Sequence, residues 1–95
     1  MLDKKRRLFR LIESYLNEYQ KDAVEEIYGK NSKIKIHSMS ESVSQRALLF
    51  EVVIVLGETI NEEVIDRKLA DILLQDALMY FFPDQSIKTY VRWDV

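Results

Sequence analysis

Ala47-Leu48-Leu49-Phe50-Glu51-Val52-Val53-Ile54-Val55-Leu56-Gly57 is the stretch on which the fold of this chain turns. As an extended segment it puts Leu48, Phe50, Val52, Ile54 and Leu56 on one face and Ala47, Leu49, Val53 and Val55 on the other, with Glu51 as its one charge. A strand apolar on both faces is usually central and covered on both sides. The run is far short of the roughly 20 residues that cross a bilayer. Gly57 closes it.

Working outward, residues 33–38 alternate, with Ile34 and Ile36 on one face and Lys33, Lys35 and His37 on the other. That pattern predicts a strand with a wet face, at a sheet edge or on a solvent-facing side. Ser38, Ser40, Ser42 and Ser44 follow at a spacing of two and predict a long hairpin connection whose flanks continue the ladder. On the far side, residues 61–82 read as a helix, with Asn61 as N-cap, Glu62 and Glu63 in the first turn, an Ile60–Ile65 staple and Pro83 as the stop. Its apolar arc, from Ile65 and Leu69 through Ile72 to Met79 and Tyr80, is too broad for one contact surface. Residues 86–94 alternate again, Ile87, Thr89, Val91 and Trp93 against Ser86, Lys88, Tyr90, Arg92 and Asp94. At the other end, Leu8, Leu11, Ile12, Tyr15, Leu16, Tyr19, Ala23, Val24 and Ile27 recur at helical spacing, predicting one helix over residues 3–28 with Asp3 as cap and Gly29 as an αL stop.

The order is α-β-β-α-β. A helix joining the last two strands makes them parallel. The predicted fold is a single two-layer α+β domain over residues 1–95, a three-stranded mixed sheet with two helices on one face. This layout resembles the topology of the type II KH module, and also a ferredoxin-like unit lacking its first strand. The Gly-x-x-Gly loop with which KH domains clamp a nucleic-acid backbone is absent, and topology alone carries no function.

With 47% hydrophobic and 32% charged residues the chain reads as globular, and a net charge of −2 leaves any nucleic-acid or membrane affinity to a local patch. The absence of cysteine removes disulfides, thiolate metal sites and cysteine nucleophiles and fits a reducing compartment. A soluble, cytoplasmic protein without membrane contact is expected.

Little in the chain reads as catalytic. His37, the single histidine, could act as a base beside a loop serine, but no motif orients it, and a solvated strand residue is the simpler reading. Asp66, Asp71 and Asp76 lie on the second predicted helix; Asp76 intrudes into the apolar arc, as a buried acid or, more simply, in an ion pair with a residue such as Arg46 or at the core edge. The serine run could be a modification site or contact loop, and a plain polar hairpin is simpler. No metal-ligand constellation or glycine-rich phosphate loop is present in the sequence, so neither enzyme activity, metal nor cofactor is expected.

Two features point to association. If both helices cover one sheet face, Leu49, Val53 and Val55 are left on the other, and uncovered apolar patches mark interfaces. The first helix also opposes its own macrodipole, opening on Lys4, Lys5, Arg6, Arg7 and Arg10 and closing on Asp22, Glu25 and Glu26. Two copies packed antiparallel would pair those poles across a two-fold axis. The expected function is therefore a non-enzymatic protein–protein interaction or assembly module, a homo-oligomer with a dimer favoured, using helix one and the spare sheet face. The alternative is an RNA- or DNA-binding module using the same basic cluster, extended by Lys33 and Lys35.

Overall fold

The computed structural model describes residues 2–58 and 62–94. Helix α1 (Leu2–Ser14) passes through a π turn (Tyr15–Tyr19) into α2 (Lys21–Tyr28). Strands β1 (Lys33–Ser42) and β2 (Ala47–Val55), a 3₁₀ turn (Glu62–Val64), helix α3 (Arg67–Phe81) and strand β3 (Ser86–Asp94) follow. The sheet has the order β1-β2-β3, with β1 antiparallel and β3 parallel to β2. The predicted α+β class and mixed three-stranded sheet are what the chain adopts.

One core joins the layers. Ile34, Ile36, Phe50, Val52 and Ile54 from the sheet are buried against Ile12, Leu16, Val24 and Tyr28 of the N-terminal helical arm and Leu74, Ala77 and Leu78 of α3. The buried positions of α3, Ala70, Leu74, Ala77 and Leu78, form the narrow stripe that a two-layer packing needs. Leu69, Ile72, Met79 and Tyr80 are left exposed.

Four local readings are corrected. The helix expected over residues 3–28 is interrupted by the π turn, and the reason lies at the sheet edge. Asn17, inside that turn, bonds Ile34 twice: its Nδ2 donates to Ile34 O and its Oδ1 accepts from Ile34 N, both at 2.9 Å. Glu13 Oε2 accepts from Ile36 N at 2.8 Å. The extra residue of a π turn re-aims the helix surface, and here it sets polar side chains on the free edge of β1, where unpaired backbone groups would otherwise template another chain. Gly29 does stop the arm with positive φ, but at φ 98° and ψ 161°, a region essentially closed to residues with a Cβ, rather than in αL.

Helix α3 starts at Arg67, later than expected, because Asp66 is its N-cap: Oδ1 accepts from Lys68 N at 3.1 Å and Leu69 N at 3.2 Å. Glu63 thereby falls in the 3₁₀ turn, while the proposed Asn61 cap and Ile60 staple lie outside the described residues; Asp3, expected as the cap of the first helix, lies inside α1. Finally, β1 extends to Ser42, beyond the expected end at residue 38. A bulge between Ile36 and Ser38 leaves His37 unpaired and flips the alternation, so that Met39 joins the core side and Ser38 and Ser40 turn outward.

The hairpin is closed by Val43–Arg46, with Arg46 N donating to Val43 O at 3.3 Å. Arg46 holds φ 51°, a left-handed value unfavourable for a residue with a Cβ. Arg46→Gly is expected to stabilise the protein by about 0.5–1 kcal/mol, the relief of strain exceeding the entropy of the added glycine. A higher urea midpoint at unchanged slope is the readout, and a lower midpoint would contradict it.

Candidate interaction surfaces

Because both helical layers lie on one side, the other sheet face is open. The register sets its rows. Val53 lies between Lys35 on β1 and Arg92 on β3; Glu51 lies between Ser38 and Tyr90; Leu49 lies between Ser40 and Lys88. Val55 continues the central stripe at the register position between Lys33 and Asp94. Leu49, Val53 and Val55 are half-buried rather than fully exposed, as expected of a central strand flanked by neighbours. Lysine and arginine stems shield part of an adjacent apolar side chain. Tyr90 is 54% exposed. The face is thus an apolar stripe with Lys33, Lys35, Lys88 and Arg92 along its sides, Glu51 at its centre and Asp94 at the register position opposite Val55.

The helical side carries a second apolar surface of opposite sign. A groove of about 560 Å³ runs between α2 and α3, floored by Ala23, Ile27, Leu69, Ile72 and Leu73. Glu26, Asp66 and Asp76 edge it, and Leu69 and Ile72 are each about half exposed, at 53% and 51%. Asp76 is therefore an exposed acid at the core edge and not a buried one.

The N-terminal cluster lies elsewhere. Lys4, Lys5, Arg6, Arg7 and Arg10 are exposed on α1, and Lys5 lines a cavity with Met39, Ser40, Glu41 and Leu48 near the hairpin end of the helical side. The residues singled out from sequence are not brought together: the basic cluster stands on the helical layer, while Leu49, Val53 and Val55 face the opposite way. Nor are the poles of helix one both free. Glu25 Oε2 accepts from Asn31 N at 2.7 Å, holding the turn that follows Gly29; Glu26 remains exposed at the groove. Between the two poles the arm passes through the π turn at Tyr15–Tyr19.

Lys88, Arg92 and Tyr90 were not singled out from sequence. Their alternation was visible, but strand order was needed to set them opposite Lys33 and Lys35 around one stripe. Among the described residues no cluster of three or more His, Asp or Glu could hold a metal ion, and no helix is long and apolar enough to cross a membrane. His37 is exposed at the bulge. The chain matches no family model, no curated protein and no solved structure.

Proposed function

We propose that this chain is a non-enzymatic assembly module that self-associates head to tail, the open sheet face of one copy seating on the α2–α3 groove of the next. The observation that carries this reading is complementarity within one chain. The apolar stripe of Leu49, Val53 and Val55 is edged by Lys33, Lys35, Lys88 and Arg92, and the apolar groove by Glu26, Asp66 and Asp76. Opposite potentials on two apolar surfaces favour their docking and disfavour like against like. A face-to-face dimer through the sheet would instead set cation rows against each other, and a heterologous contact of this kind builds rings or filaments.

Val53→Glu tests the sheet side. The new carboxylate falls directly between Lys35 and Arg92, so cross-strand pairing offsets the lost β-propensity and the fold is retained. The same carboxylate offsets the flanking cations and sets negative charge against the acid-edged groove, and is expected to weaken association at least about tenfold, or about 1.4 kcal/mol. The readout is concentration-dependent mass by light scattering. Unchanged association with a retained fold would remove the sheet face from the interface.

A second reading rests on the same cations. Lys33, Lys35, Lys88 and Arg92 around an exposed Tyr90 offer phosphate contacts and one stacking platform to a single-stranded nucleic acid. Affinity for a short oligonucleotide that falls steeply with salt would favour it over self-association.

A further inference from the structure

The two outer edges of the sheet are finished differently. On β1 the edge is closed by side chains, Asn17 at Ile34 and Glu13 at Ile36. On β3 only the first inward residue is met: Gln75 Nε2 donates to Ile87 O at 3.2 Å, so the peptide groups of Ile87 turn away from β2. Backbone direction alternates along a strand, and the N–H and C=O of Thr89 and Val91 therefore point outward too. Among the described residues these four groups have no partner. Such a row is a template for another strand. The side chains along it define what fits. From Ser86 to Trp93 the strand carries Lys88 and Arg92 and no acid. Lys88, Tyr90 and Arg92 stand exposed on the open face, with Glu51 one strand in, opposite Tyr90. On the helical side Val91 is 36% exposed and lines a cavity of about 260 Å³ with Leu74 and Trp93, edged by Arg67 and Asp71. Cations on an edge strand repel a further cationic strand and complement an acidic one.

We propose that the free edge of β3 takes up an extended segment of another protein as a fourth, antiparallel strand, with acidic side chains at alternate positions and aliphatic ones between. Main-chain hydrogen bonds supply the affinity of such strand addition, and the alternate side chains its specificity. In the antiparallel sense one aliphatic residue exchanges both its backbone bonds with Val91. Its neighbours then stand opposite Tyr90 and Arg92 on the open face, and the next acid opposite Lys88. The aliphatic side chains turn to the helical side, beside Thr89, Val91 and the cavity. The bonds run along the strand edge and not over the sheet face, so the proposal does not rest on the assembly reading.

The probe is a dye-labelled peptide, Thr-Glu-Val-Glu-Val-Glu-Thr, titrated with the intact protein and followed by anisotropy. Saturable binding is expected, at least about tenfold weaker when lysine replaces each glutamate. N-methylation of the two valines, whose N–H groups face β3, should weaken binding at least about tenfold, and N-methylation of the central glutamate, whose N–H faces solvent, should leave it unchanged. Val91→Pro removes an outward donor that makes no ladder bond, a place where an edge strand accepts proline, and should lower affinity at least about tenfold. The methylated peptides keep the test decisive even where that variant folds poorly. No saturable binding, a lysine peptide that binds as well, or a valine-methylated peptide that binds as well would overturn the proposal. In a chain whose groove is broken by Ile72→Glu, a dimer that is lost on adding Val91→Pro would seat a second copy on the edge and overturn it as well.

Discussion

Gly57→Ala is expected to destabilise this protein by about 3–4 kcal/mol, near the upper end of single-substitution effects. The residue ends β2 and crosses directly over the Gly29–Lys30 peptide. A Cβ built there falls within 2.6 Å of Gly29 O and closer still to Gly29 C and Lys30 O. All three atoms are backbone, so no side chain can swing aside. The backbone cannot yield freely either. Gly57 N donates to Tyr28 O at 2.9 Å and Glu58 N to Lys30 O at 3.1 Å, a short antiparallel bridge that ties the end of the N-terminal arm to the end of β2. Relieving the clash breaks that bridge and disturbs Tyr28 at the floor of the core. Chemical denaturation of the variant measures the loss; a change under about 1 kcal/mol would show that the two backbones are not packed in this way.

Asn17→Ala is expected to cost about 2–3 kcal/mol, because one side chain satisfies both backbone groups of Ile34 on the free edge of β1. Ile34 is fully buried as a residue, and both bonds are part-buried, so water recovers only part of what is lost. Asn17→Asp keeps the acceptor for Ile34 N and loses the donor to Ile34 O; it should retain roughly half of the stabilisation. Amide exchange at Ile34 gives the local readout, with protection lost in the alanine variant and kept in the aspartate variant. An Ile34 amide equally protected in both would show that the edge is held by something other than Asn17. The exposed edge should also make the alanine variant more prone to aggregate.

These two sites mark the boundary of what the sequence made legible. Apolar periodicity set the element order and the apolar faces of the first two strands, and the helix between the last two set their parallel sense, because burial in a two-layer fold is what periodicity records. The two-sided apolarity of β2 also announced an uncovered face before any strand order was known. The interruption of helix one was not legible, since its cause is a contact between Asn17 and Ile34 that exists only once β1 lies beneath the arm. The bulge at His37 escaped for a similar reason: the pairing with β2, not the local pattern, assigns Met39 inward. At the start of α3, Asp66 is the cap, and nothing in its spacing marks it as a capping residue rather than a helical one. The surfaces divide the same way. Leu49, Val53 and Val55 were found from alternation alone, whereas the cation rows beside them and the acid-edged groove arise from tertiary placement.

Head-to-tail assembly is tested most directly by the absolute mass of an equimolar mixture of two variants, each with one surface broken. Val53→Glu spoils the sheet face and leaves the groove; Ile72→Glu places a charge in the groove at a half-exposed position and leaves the sheet face. Each alone should be monomeric by light scattering at moderate salt, where the parent associates. Mixed, they share one intact interface and should form a one-to-one dimer and nothing larger. A mixture that stays monomeric, or an Ile72→Glu variant that associates like the parent, would contradict the pairing of sheet face with groove.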